Sequence, residues 1–227
     1  MINNSLSIIE LRARKTLPAV LAIEIIMAAV SAAAAGKTGA NYVNDRAFLY
    51  PMAAAIMLVF AVLAGRKPHG SNLSARLSLL KISQEGYYFA DHLYCIMVYV
   101  LLWAFEAAAL LIYFRIFRGV SVPAMYVDTQ WSVMLKLLFP LEDRSFALAR
   151  TVMVLTLGSS AASAHRITER GKLPLIPSVA VLIIVFSLLR IRRTGFASFV
   201  IFSGMAAFMS IIASRRPETE SEAEQDE

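Results

Sequence analysis

Three ionisable side chains lie in stretches that are otherwise apolar: Glu24 in "LPAVLAIEIIMAAVSAAAA", Glu106 in "LLWAFEAAALLIYF" and Arg150 in "ARTVMVLTLGSS". A charge at bilayer depth costs about 2.5–3.5 kcal/mol on insertion scales, so each needs a reason to be there. Glu106 is fourteen residues into its apolar run, and helical spacings of three and seven put Tyr99, Trp103 and Tyr113 on its face. Each of those rings carries a polar tip. The opposite face, Leu101, Ala104, Ala108 and Ile112, is plain and suits lipid. Glu24 shares its face with Leu17, Val20, Met27, Ala28 and Ser31. Two carboxyls so placed can form a proton or cation site or line a substrate path, with Arg150 as a candidate counter-charge for Glu106. They can equally be structural, as protonated carboxyls or ion pairs that join helices. Glu24, Glu106, Tyr99, Trp103 and Arg150 are therefore the transport-path candidates.

The medium around these residues follows from composition. Of the 227 residues, 58% are hydrophobic and 17% charged, against roughly a quarter charged in a soluble domain. The mean hydropathy is +0.63. A chain of this length cannot enclose that much apolar surface in a water-soluble core. The charges collect between apolar blocks of near-bilayer length, which predicts an all-α, polytopic membrane bundle. Strands are excluded because the blocks do not alternate polar and apolar, and lipid tolerates no open sheet edge. The net charge of +6 comes from Lys and Arg at the block ends, where they anchor helices at headgroups. Nucleic acid is not implied.

Enzyme and metal motifs are weak. Ser159 and Ser160 stand near His165 in "GSSAASAH", but a spacing of five places Ser160 about 140° off the histidine's face. His69, His92 and His165 lack metal-ligand spacing, and the single cysteine, Cys95, excludes an internal disulfide. "GKTGA" lacks the upstream glycine of a phosphate loop. No cofactor is implied, and an enzyme is not the expected class.

Six segments meet the length of a span, residues 17–35, 48–64, 93–114, 146–164, 173–190 and 196–213. Pro51 and Pro174 are placed to open the second and fifth. With the N-terminus inside, the cytoplasmic loops hold the larger share of Lys and Arg, so both termini are expected in the cytoplasm of a cell-membrane protein. Residues 121–141 contain a short amphipathic helix, with Trp131, Met134, Leu135 and Leu138 on one face, expected at the outer interface. In residues 71–92, Leu73, Leu77 and Leu80 mark another, and Ser83 is a candidate cap for the helix that follows. The first 214 residues form one transmembrane domain, and the acidic tail 215–227 is expected to be disordered. Small residues four apart, Ala28–Ala32–Gly36, Gly158–Ala162, Ser159–Ser163 and Ser203–Ala207, predict close helix contacts.

The stretch 76–106, "RLSLLKISQEGYYFADHLYCIMVYVLLWAFE", resembles the second-to-third helix region of ABC-2-type permeases, the membrane subunits of ABC exporters. The resemblance covers about half the chain. It implies an amphipathic entry helix at 3–15 and a cytoplasmic docking segment at 71–92, on which a separate ATP-binding subunit would act through Arg76, Leu77, Leu80, Glu85, Tyr87 and Tyr88. It also implies a homo- or hetero-dimer of membrane subunits. The chain departs from that family in its outer element, which falls between the third and fourth spans, while the last two are joined by the short "RIRRTGF". The alternatives are an ion-coupled transporter that uses Glu24 and Glu106, and a non-transporting scaffold or accessory subunit.

Overall fold

The computed structural model describes residues 2–37, 45–65, 84–113, 115, 133–138, 144–169, 171–190 and 196–215. Among them every regular element is a helix: α1 (Ile2–Lys37), α2 (Asp45–Ala64), α3 (Gln84–Ile112), α4 (Val133–Leu138), α5 (Arg144–Glu169), α6 (Leu175–Leu189) and α7 (Phe196–Arg215). The six expected spans correspond to α1, α2, α3, α5, α6 and α7. Parts of α1, α2, α3 and α5 are long and apolar enough to cross a membrane. The other two apolar stretches are shorter, Leu175–Leu189 and Val200–Ile212. At 1.5 Å per residue α6 reaches only about 22 Å, less than a hydrocarbon core of about 30 Å.

Two expectations about helix starts are corrected. Pro51 lies inside α2 rather than in its first turn, because the helix begins six residues earlier at Asp45. The entry helix and the first span are one helix, α1, with Pro18 within it. Pro174 caps α6 as expected of a helix start. α3 begins at Gln84, so residues 84–92 of the docking segment are its first two turns. Arg76, Leu77 and Leu80 lie outside the described residues, as do Ser83, residues 121–132 and 139–141, and the tail beyond Arg215.

α5 is the hub of the bundle and touches α2, α3, α4, α6 and α7. α1 packs on α2 and α3. The core lies along α2, where Phe48, Met52, Ile56, Val59 and Leu63 are fully enclosed. Large apolar side chains also cover the outside: Ile25 and Ile26 on α1, Leu182 and Phe186 on α6, Phe202, Met205 and Phe208 on α7. Helices apolar on both faces are stable in lipid and would aggregate in water.

The side-chain bonds show which way each helix runs. Arg12 of α1 reaches the Leu63 carbonyl at the end of α2 and Asp91 near the start of α3. Tyr87 of α3 reaches Glu169 at the end of α5. Thr156 and Ser160 of α5 meet Ser203 and Ser210 of α7 in the same order, so α5 and α7 are parallel. α6, which leads from the end of α5 to the start of α7, must run the opposite way. Apart from α4, the helices thus alternate in direction, and the beginning of α1 and the end of α7 lie at the same end of the bundle.

One close approach is made by glycine. A Cβ on Gly158 of α5 would lie 2.5 Å from Ile96 Cγ1, 2.8 Å from its Cα and 2.9 Å from its N on α3. The small-residue pattern on α5 therefore has two directions. Gly158 admits α3, while Ser160 faces α7.

Candidate functional site

Glu24 and Glu106 are both enclosed by the bundle. Each is 3% exposed, and Glu24 is near enough to act electrostatically on Glu106. Glu24 is twelve residues beyond Arg12 and Glu106 fifteen beyond Asp91, so the pair lies about 18–22 Å along the helices from the Arg12–Asp91 contact. α1 and α3 are parallel neighbours, which brings the two carboxyls to one level. Among the described residues, neither oxygen of Glu24 has a hydrogen-bond partner, and neither does Oε2 of Glu106.

The face predicted around Glu106 is the buried one. Tyr99, Trp103 and Tyr113 are each at most 5% exposed, while Ala104, Ala108 and Ile112 face outward. The Tyr99 hydroxyl donates to the Ile56 carbonyl of α2 at 3.4 Å, a long bond. Trp103 Nε1 is buried and donates to no acceptor. On α1, Ser31 continues the Glu24 face, with its hydroxyl buried and unpartnered too. Buried polar atoms are nearly always paired, and those of Glu24, Trp103 and Glu106 lie near one level without a described partner.

Arg150 does not neutralise Glu106. Its Nη1 donates to the Leu138 carbonyl at 3.1 Å, which ties α5 to the end of α4. The depth of both residues in their spans suggested the pair, but depth carries no information about azimuth around the helix.

A second polar layer closes the end of the bundle where α1 begins. Arg12 and Asp91 form an ion pair, their side chains 10% and 3% exposed. Arg12 Nη2 donates to the Leu63 carbonyl at 2.8 Å, and the guanidinium stands 5.4 Å from the Tyr94 ring centre. The Tyr94 hydroxyl bonds Thr16 at 2.6 Å. The Tyr87 hydroxyl donates to Glu169 at 3.0 Å. His165 reaches Glu169 through Nε2 at 3.3 Å and the Ala64 carbonyl through Nδ1 at 3.4 Å. Gly65, with φ of +73°, turns the chain out of α2 beside that imidazole. Arg166 stacks on the Tyr88 ring at 3.6 Å. Two of the docking candidates, Tyr87 and Tyr88, are thus engaged by α5. A third, Glu85, lies in the first turn of α3.

Sequence reasoning missed this layer as a unit. Arg12 and Asp91 are 79 positions apart and no local spacing relates them. His165 and Glu169 were legible as an i,i+4 pair, but Tyr87 was not legible as the third member. Ser160, weighed beside His165 as a nucleophile, instead shares a hydrogen bond with Ser210 at 3.2 Å. Among the described residues no three His, Cys, Asp or Glu side chains are grouped to hold a metal.

Comparison with protein-family models, with curated proteins and with solved structures finds no match to this chain.

Proposed function

We propose that this chain is a multi-pass transporter of the cell membrane, with both ends in the cytoplasm, whose coupling site is the Glu24–Glu106 pair. One observation carries the reading: two buried carboxyls on the parallel helices α1 and α3, near enough to act on each other electrostatically, with three of their four oxygens accepting no hydrogen bond among the described residues. An isolated ionised carboxylate in a low-dielectric interior is very costly, and a second one beside it adds repulsion. Such a pair is comfortable when it holds a proton or a cation, and binding or losing that charge changes how tightly α1 and α3 pack. The polar layer at the Arg12 end then acts as the closed side of the pathway.

The test uses proteoliposomes that contain a trapped pH dye and carry an imposed potential. The wild-type protein is expected to admit protons, and Glu106→Gln and Glu24→Gln to lower the rate at least about tenfold while remaining folded, since glutamine keeps the shape and removes the titration. Equal rates in all three would sink the reading.

The permease resemblance supports a second reading, in which a separate ATP-binding subunit drives a dimer of such membrane subunits. Its support is mechanical. The segment 71–83 leads directly into α3, whose first turns are bonded to α1 and α5 through Asp91 and Tyr87, so a pull there would spread through the bundle. Alanine at Tyr87 and Tyr88 is expected to abolish co-purification with an ATPase from the native membrane. Co-purification that persists would count against docking at these residues.

A further inference from the structure

Between α3 and α5 runs a groove of about 440 Å³. Its walls are apolar apart from Thr151, the Trp103 indole and the side chain of Arg150. Val100 and Ala104 on one rim and Thr151 and Leu155 on the other are exposed at the outer surface of the bundle, so the groove opens sideways, towards lipid. Leu138 of α4 closes the end near Arg150.

We propose that this groove binds one anionic phospholipid, with an acyl chain along α3 and the phosphate on Arg150. Charge complementarity supports this occupant. The Arg150 guanidinium spends one N–H on the Leu138 carbonyl, and the ion pairs among the described residues belong to Arg12, Arg14 and His165. Arg150 has no carboxylate partner there, and none of the described residues lining the groove carries a carboxylate. A guanidinium offers five N–H donors in a fork that fits a phosphate, so donors remain for a ligand.

Direction and length agree with a lipid. Arg150 is six residues into α5, near the bundle end away from the polar layer, where a long side chain reaches headgroups. From there the groove runs inward along α3 from Ala107 to Ile96, eleven residues or about 16 Å. That is close to one leaflet of a hydrocarbon core about 30 Å thick. A lipid of that leaflet stands the same way, with its charge at the end and its chain pointing to the centre. Neither Glu24 nor Glu106 lines the groove, although Trp103 borders both it and the Glu106 face, and the lipid site stands whether or not the carboxyl pair couples transport.

Trp103, one of two tryptophans, lines the groove and reports on it. The full chain carrying Trp131→Phe is placed in nanodiscs with phosphatidylglycerol or phosphatidylcholine whose acyl chains bear bromine. The phosphatidylglycerol is expected to quench Trp103 at about fivefold lower mole fraction than the phosphatidylcholine. Arg150→Gln is expected to erase that difference and Arg150→Lys to keep part of it. Ala107→Phe, which fills the groove and leaves Arg150 in place, is expected to weaken quenching by both lipids. Because Arg150 also ties down α4, Arg150→Gln is read only with helicity intact, and Ala107→Phe decides if it is not. Equal quenching by the two lipids, a preference that survives Arg150→Gln, quenching unchanged by Ala107→Phe, or relief by soluble glycerol phosphate would each overturn the proposal.

Discussion

Arg12→Ala is expected to be the most damaging single substitution in the described helices, at about 3–5 kcal/mol, the range for removing one partner of a buried ion pair. It leaves Asp91, 3% exposed, with a short side chain that cannot reach headgroups. It also removes the bond to the Leu63 carbonyl and the contact with the Tyr94 ring, so α1 loses one polar tie to each of α2 and α3. Asp91→Ala is expected to cost less, because Arg12 keeps those two contacts and its stem lets the charge move towards water. Arg12→Met combined with Asp91→Leu is expected to recover most of the loss, since apolar replacement of a whole buried pair is often neutral or better. Cys95 supplies the measurement. It is the only cysteine and is fully buried, so its labelling by a thiol-reactive fluorophore during heating in detergent reports unfolding. A melting temperature in Arg12→Ala equal to that of the wild type would show that the ion pair does not hold α1 to the bundle.

Gly158→Leu is expected to be the second most damaging, and Gly158→Ala to cost about 1–3 kcal/mol, the range for overpacking a filled site. The contact at 2.5 Å is with a side-chain atom of Ile96, but those at 2.8 and 2.9 Å are with backbone. A rotamer change relieves the first and cannot relieve the others, so α3 and α5 must move apart. Ile96→Ala is accordingly expected to rescue Gly158→Ala only in small part. By contrast Gly204, which has nothing within 4 Å of where its Cβ would stand, is expected to accept alanine with no loss. The same thermal labelling at Cys95 checks all of these, and a wild-type melting curve for Gly158→Ala would refute the close approach. Separation of α3 from α5 also widens the groove beside Trp103, so Gly158→Ala is expected to reduce the phosphatidylglycerol preference as well.

The helical faces were legible because a helix fixes azimuth from spacing alone. Tyr99, Trp103, Glu106 and Tyr113 recur at three, four and seven and are buried together, while Ala104, Ala108 and Ile112 face out. The same rule placed Val20, Glu24 and Ser31 on one buried face of α1. It was silent on which face meets which helix. That is why Arg150 was matched to Glu106 by depth and turned out to bond Leu138. It is also why Gly158 and Ser160, two residues apart, proved to serve different neighbours. Pro51 misled because proline suits a first turn, and a helix held by neighbours on several sides tolerates one missing N–H inside it.

By itself the sequence determined the medium and the helical class. Apolar blocks of near-bilayer length, with most charges collected between them, leave a helical membrane bundle as the physically open choice, because lipid cannot satisfy an unpaired backbone. It also determined that Glu24 and Glu106 had to be covered by protein. Only the tertiary structure decided that they lie near one level on two parallel helices, and that Arg12, Asp91, Tyr87, Glu169 and His165 gather towards one end. Periodicity orients a residue about its own helix axis. The pairing of axes depends on shape and polar complementarity between segments far apart in the chain, and no local pattern encodes it.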